Sequence, residues 1–405
     1  MAERRMQWRN PTNLAIARGL SHRIRIKRVF MEPRRGQQHM SGENGEGNRP
    51  NSSKKRGKSR DHSRRNSGNR NRNNRRPKRY GGPSISSLKE RHAERITAMD
   101  QKANQRFEQS ERPMGFPEDL DEPQAFHFTW DTNPVPLKDE EALAKQVLRK
   151  GEFGWLDDAR VDELAQIVRN HNMTLDQALS LRSALMQQKT VYGHGRLRSR
   201  AKDMLRLYRE GVSVVDISQR FDGPPMNVFR LILAEMRWSK TKIKESLREP
   251  SRLKQRERDE FEAAEAADRV SNVDQGESQE KADLFEDILA DWFEEQGVRL
   301  RRQPEMVREQ KQELGRPVRT PDILFLDHVH INGSPVAWID AKHFYGADVE
   351  FQRKKMAKQM DRYIEEWGSG AVVYRHGFSA NLFMAACTLL DANVLDLQPL
   401  DSDET

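Results

Sequence analysis

The chain has 405 residues, enough for two ordinary domains and a tail. At 35% hydrophobic and 33% charged residues it is polar for a wholly folded protein, so part of it is expected to stay unfolded. The formal charge of +9 is uneven: residues 51–80 hold thirteen Lys or Arg against one acid, a local +12 that leaves about −3 for the rest. The single cysteine, Cys387, excludes an internal disulfide framework and any Cys-rich zinc module. No apolar core follows the basic N-terminus, so no secretory signal and no membrane span are expected.

Residues 33–88 are rich in Gly, Asn, Ser, Pro and Arg, and a disordered basic tail over 1–95 is predicted. Chemically it is a mobile polycation, suited to gathering nucleic acid by counterion release or to nuclear import. A helical domain over 96–251 follows. LKDEEALAKQVLRKG, DDARVDELAQIVRNH and TLDQALSLRSALMQQ each read as helices, the last opening on a Thr174–Gln177 capping box. Residues 201–238 read as helix, Gly turn, short helix, turn, helix, a helix-turn-helix-like unit. Met204, Leu205 and Tyr208 are expected against Val215, Ile217 and Phe221, with Pro224 and Pro225 opening the last helix. That last helix is apolar, leaving Asn227 and Arg230 as the DNA contacts such a unit would offer. Residues 252–281 are highly charged and read as a linker, helical in its first half.

Order restarts with ADLFEDILADWFEEQGVRL, whose apolar face holds Leu284, Ile288 and Trp292, flanked by Leu289 and Phe293. A strand follows Gly297, and Arg299, Arg301 and Arg302 are placed to flank a nucleic-acid path. ILFL (323–326) and VAWI (336–339) read as strands joined at Asn332–Gly333, a hairpin turn. Folding back there brings Asp322 toward Asp340. Counting from the turn misses direct opposition by a few residues, so the pairing needs a bulge, a splay or a longer loop. Asp340 and Lys342, two apart in a strand, share a face. A third carboxylate can come from the preceding helix. Glu286 suits best, with Asp283, Asp287 and Asp291 competing on charge alone.

This set fits phosphodiester hydrolysis. Asp322, Asp340 and Glu286 would hold a hard divalent ion, magnesium with manganese as its substitute, and the backbone carbonyl of Ala341 would add a ligand. Lys342 would orient or help deprotonate the attacking water. The same letters also suit a surface hairpin with an Asp–Lys pair. His328 and His330 share one strand face with Asp327 nearby, but other zinc ligands are missing, and solvent-facing positions are expected. Downstream, Met356, Met360, Tyr363 and Trp367 read as the core stripe of a helix, while Lys354, Lys355, Lys358 and Arg362 supply positive charge for a phosphate backbone. GAVVYRHGF reads as a buried strand, with His376 facing solvent or the cleft. FSANLFMAACTLLDANVL reads as a buried helix.

Thr320-Pro321-Asp322 with Asp340-Ala341-Lys342 resembles the PD-(D/E)xK nuclease core. RTPDILF, VAWIDAKHFYGAD, QMDRYIEEWGSGAVVYRHGF and, more loosely, RFDGPPMNVFRLILAEM and SKTKIKESLREPSRL resemble the codanin-1-interacting nuclease family over roughly 196–395. The resemblance implies an α/β restriction-endonuclease-like core over 282–399, a mixed sheet flanked by helices, behind an all-α helix-turn-helix-like domain. It implies Glu286, Asp322 and Asp340 as the acids and Lys342 as the lysine. Gln359 matches a family glutamine placed for substrate or the metal-bound water. The family carries Glu where this chain has Asp340 and Ser where it has His343; His343 is expected to be a side contact. The resemblance further implies a nuclear protein, also found in the cytoplasm, that binds a codanin-1-like partner and is linked to chromatin assembly; the expected substrate is nucleic acid, taken as DNA, although the sequence does not distinguish DNA from RNA. Two other readings stand beside the nuclease: a noncatalytic nuclear adaptor or chromatin-assembly partner keeping the nuclease-like fold, and a helix-turn-helix DNA-binding protein.

Overall fold

The computed structural model describes residues 85–270 and 275–401, so the basic tail expected up to residue 84 lies outside the described residues. The chain opens with helix α1 (Ile85–Asn104) and strand β1 (Ala125–Phe128). Eight helices follow: α2 (Leu137–Ala144), α3 (Asp158–Val168), α4 (Leu175–Ser199), α5 (Ala201–Arg209), α6 (Val214–Phe221), α7 (Pro225–Glu235), α8 (Lys240–Arg248) and α9 (Gln255–Ala266). Then come α10 (Gln275–Glu295), β2 (Leu300–Arg302), α11 (Gln303–Leu314), β3 (Ile323–Ile331) and β4 (Ser334–Lys342). The last elements are α12 (Glu350–Trp367), β5 (Gly370–Tyr374), β6 (Cys387–Asp391) and α13 (Gln398–Asp401).

The sheet is mixed. Its order is β1-β3-β4-β5-β6, with β2 also on β3. β3 and β4 are antiparallel, whereas β4, β5 and β6 run parallel, so the expected α/β class with a mixed sheet flanked by helices is what forms. Alternation along the strands divides the core into two layers. Ile323, Phe325, Ile339, Ala341 and Val373 pack with Phe285, Leu289 and Phe293 of α10. Leu324, Trp338 and Val372 pack with Met306 of α11 and with Met356, Met360 and Trp367 of α12. The α12 stripe matches expectation. The α10 face is turned by one residue: Phe285, Leu289 and Phe293 are buried, while Leu284, Ile288 and Trp292 are only partly covered.

Several boundaries differ from the sequence reading. α1 starts at Ile85, inside the span expected to be disordered, and it packs on the sheet rather than on the helical unit. The Ser369 N–H donates to Met99 O (3.1 Å), and the Trp367 indole N–H donates to Met114 O (2.9 Å). β1 joins the sheet beside β3. Residues 85–130 are thus drawn into the α/β core, because the exposed edge of β3 and the face of Trp338 need cover. The charged stretch from 252 is no linker in its first half. Phe261 and Ala264 of α9 are buried among α5–α8, and Asp268 accepts from the Met226 N–H at the start of α7 (2.8 Å). Pro224 offers α7 no side-chain cap, so Asp268 supplies it from a distance.

In the helical unit the capping box of α4 forms as predicted, and Pro225 occupies the first turn of α7. Met204, Leu205 and Tyr208 meet Ile217 as expected, with Val214 rather than Val215 as the buried valine. α7 buries Met226, Val228, Phe229, Ile232 and Leu233. FSANLFMAACTLLDANVL is not a helix. Ala386 has φ 56°, which no helix tolerates, and Cys387–Asp391 forms β6 along the open edge of β5. A short apolar run cannot by itself distinguish the two outcomes. Among the described residues no helix is long and apolar enough to cross a membrane.

Candidate functional site

The hairpin fixes the site. Asn332 and Gly333 have φ 51° and 81°, the double left-handed turn that Asn-Gly favours. From it, Ile331 pairs with Ser334 and Val329 with Val336. That register would set Asp340 opposite Phe325. Between Val329 and Leu324 the register shifts, and beyond the shift Leu324 pairs with Trp338 and Ile323 with Ile339. The next position in line sets Asp322 opposite Asp340. Of the bulge, splay or longer loop that counting from the turn left open, a register shift within the hairpin is what forms.

The irregularity is held by Asp327 at its centre, fully buried. Its Oδ1 accepts from the Gln124 N–H and its Oδ2 from the Arg299 N–H, both at 2.8 Å. The Arg299 guanidinium pairs with it at 2.6 Å. The Asp327 backbone oxygen accepts from the buried Arg106 guanidinium. β3 changes neighbours here, from β2 at 323–325 to β1 at 328–331.

Asp322, Asp340 and Lys342 meet at the end of this hairpin. Asp340 is 0% exposed and Asp322 7%. Asp322 Oδ2 accepts from the Ala341 N–H (2.7 Å) and Oδ1 from Gln303 Nε2 (2.6 Å). Asp340 Oδ1 accepts from Gln359 Nε2 (2.9 Å). Asp340 Oδ2 has no hydrogen bond of good geometry; the Lys342 ammonium lies against it as an ion pair. The same ammonium donates to the Ala341 carbonyl (3.1 Å), so that predicted ligand is engaged. Glu286 reaches this end of the sheet from α10, on the opposite layer, and its ionisation feels Lys342, Asp283 and Asp340.

Burial dominates the electrostatics. It pushes Glu286 up to about 7, only partly offset by Lys342. Burial and then the Asp340 charge hold Asp322 well above the usual carboxylate range. Asp340 is raised by burial against the pull of Lys342. Burial opposes the charge on Lys342, but Asp340 and Asp322 outweigh it and hold the ammonium above its ordinary value. Three acids against one lysine would leave an excess of two negative charges in a low-dielectric site if all were ionised, and that repulsion adds to burial in raising the Glu286 and Asp322 carboxyls. Hard oxygen donors and this charge excess suit a divalent cation. In the present arrangement no group of three His, Cys, Asp or Glu encloses an ion among the described residues.

The surrounding residues sort clearly. Gln359 bonds Asp340, and Lys355 stands exposed beside it. Lys358 is exposed on the same helix, whereas Arg362 bonds the Val318 carbonyl and steadies the approach to Thr320. Two contributors were not singled out in the sequence. Gln303 holds Asp322, and Tyr363, read only as core, donates to the Thr320 carbonyl (3.1 Å). Burial and then Asp340 push the Tyr363 phenol up to about 12. The spacing of Tyr363 four residues after Gln359 was the available signal, since both lie on one helix face.

Arg299, Arg301 and Arg302 do not flank an open path. Arg299 is bound to Asp327, Arg301 to Glu305 and Glu309, and Arg302 to Asp287, Asp291 and Glu294. His328 and His330 are half-buried rather than solvent-facing, because β1 and the segment before it cover them. His330 stacks on His127 at 4.9 Å, and His328 sets its edge on Phe107 at 4.6 Å. His343 follows Lys342 at the end of β4. It lies against Phe285, Arg375 and His376, and burial followed by the Arg375 charge lowers it to about 4.

Residues 253–393 match the model of a family described as "Protein of unknown function TPD sequence-motif", the motif being Thr320-Pro321-Asp322 here. The chain is also similar to an uncharacterized protein, L539, of Acanthamoeba polyphaga mimivirus, 27% identical over 113 residues. That match covers 27% of this chain and 39% of the viral protein, so the chain spans well under half of this relative. No solved structure matches the chain.

Proposed function

We propose that the α/β core is a metal-dependent nuclease of the PD-(D/E)xK superfamily with a restriction-endonuclease-like fold. One observation supports the reading: just beyond the shifted β3–β4 register, the buried Asp322 carboxylate accepts from the Ala341 N–H, between Asp340 and Lys342. A buried excess of carboxylates has no structural benefit of its own, since it costs stability unless a cation or protons are shared. Asp322, Asp340 and Glu286 would hold magnesium, with manganese as the substitute. The metal would neutralise phosphate charge and acidify a bound water. Lys342, held above its ordinary value by Asp340 and Asp322 in the absence of a metal, would orient the attacking water or help deprotonate it, and would balance charge at phosphorus. Gln303 and the Ala341 N–H fix the Asp322 carboxylate, and Gln359 fixes Asp340. The substrate is nucleic acid, and the basic tail would concentrate it. The tail also motivates a nuclear location.

The test is cleavage by the full chain of single-stranded, duplex, flap and RNA substrates with magnesium, manganese or EDTA. Asp322→Ala and Lys342→Ala should each lower the rate about a hundredfold or more. Activity that survives both substitutions would sink the assigned site.

One observation favours a second reading, a noncatalytic nuclear adaptor that docks a codanin-1-like partner. Lys342 already neutralises Asp340, and no enclosed ligand set is present among the described residues. Absence of divalent-ion binding together with absence of cleavage would select the adaptor. A helix-turn-helix DNA reader is less well served, because α7 turns most of its residues inward.

A further inference from the structure

The structure sets helix α4 of the helical unit across the mouth of the site. Ser180, Ser183 and Gln187 of α4 form one wall of a cleft of about 310 Å³, Phe351 and Lys355 of α12 form the other, and Lys342 lies within it. α4 is tethered there three times. Gln177 Nε2 donates to His376 O (3.0 Å), Ser180 Oγ accepts from the Tyr345 N–H (2.8 Å), and Gln188 Oε1 accepts from the Phe351 N–H (3.0 Å). These tethers span about 17 Å of helix at 1.5 Å per residue, so the wall is fixed along the whole cleft.

Access is correspondingly narrow. The Lys342 side chain is 14% exposed and Asp340 is closed off entirely. A duplex, with a major groove of about 12 Å and a stiff paired backbone, cannot lower a phosphate between two packed helices. A single strand can, because each of its phosphodiesters turns independently. The chemistry of the walls agrees. Phe351 lies inside the cleft, and Tyr192, 51% exposed, meets its ring edge-on at 6.5 Å. Lys355 is exposed beside them. Aromatic faces interleaved with cations are what unpaired nucleotides use, bases stacking on the rings and phosphates meeting the charges. A duplex offers no free base face to Tyr192 or Phe351.

We infer that the cleft between α4 and α12 is a single-strand slot: one nucleic-acid strand enters with its bases on Tyr192 and Phe351 and its backbone on Lys355, and intact duplex is excluded. This rests on the nuclease reading for its chemistry, though not for its binding.

The experiment is fluorescence anisotropy with the full chain in EDTA at physiological salt, so that binding is read without cleavage. The probes are a labelled mixed-sequence oligonucleotide and its blunt duplex. The single strand should bind at least about tenfold more tightly. Tyr192→Ala and Phe351→Ala should each weaken single-strand binding about fivefold or more and leave duplex binding unchanged. Tyr192 is on the surface, so its variant reports stacking even if Phe351→Ala disturbs the fold. The basic N-terminal run is common to all variants, so differences among them report the cleft. Equal or tighter duplex binding, no binding of either probe, or a Tyr192→Ala effect that is absent or shared by both probes overturns the slot. Single-strand preference without cleavage in magnesium removes the nuclease and keeps the slot. Nicking inside blunt duplex that Lys342→Ala abolishes does the reverse.

Discussion

Asp327→Asn should damage the fold from a position that touches no candidate ligand. The carboxylate is fully buried and serves two backbone N–H groups, Gln124 through Oδ1 and Arg299 through Oδ2. An amide has one acceptor oxygen, so one of these donors loses its partner and faces an NH₂ instead. An orphaned buried donor costs about 1–3 kcal/mol. The ion pair with Arg299 is also lost, but the Arg299 side chain is 32% exposed, and solvent screening limits that loss to about 1 kcal/mol or less. The total is about 1–4 kcal/mol, readable by urea denaturation at neutral pH as a lower midpoint with little change in slope. The pH dependence gives a second check. Burial would raise the Asp327 pKa, but Arg299 and the two N–H donors win, and it falls below the ordinary value. A depressed folded-state pKa means the stabilisation is full above the unfolded value of about 3.9 and is lost as pH falls through the folded value. The gap between wild type and Asp327→Asn should thus hold steady above about pH 5 and close in stronger acid. A difference under about 0.5 kcal/mol at neutral pH would refute the claim that Asp327 anchors the bulge.

Divalent-ion binding should carry a signature of Glu286, whose carboxyl sits near 7 in the metal-free chain. The ion needs the ionised form, so calorimetry should show magnesium binding tightening with pH up to about 7 and the slope easing above it. Glu286→Gln should release about one proton fewer on binding, and an unchanged proton release would exclude Glu286 from the set. Gly370→Ala tests the packing under the site. A Cβ there would lie 2.2 Å from the Trp338 ring, in a layer with no slack, and should cost about 3 kcal/mol or more. An unaltered thermal midpoint would contradict that contact.

What the sequence determined by itself was local. The Asn332–Gly333 turn, the shared face of Asp340 and Lys342, the capping box at Thr174 and the proline start of α7 all depend on neighbours within four residues, where periodicity and backbone preference act directly. Counting from the turn even exposed a mismatch between Asp322 and Asp340. What closes that mismatch was beyond the sequence, because a bulge is stabilised by groups far along the chain, Arg106, Gln124 and Arg299 around Asp327. The same reason explains the other differences. Cys387–Asp391 is a strand because β5 leaves it an edge to pair with, and residues 85–130 join the sheet because β3 and Trp338 need cover. Arg299, Arg301 and Arg302 look free for phosphate until acids from α10, α11 and β3 reach them. Only the tertiary structure could bring α4, some 150 residues upstream of Lys342, over the site, and it is that long-range placement which sets Lys342 in a cleft walled by α4 and α12.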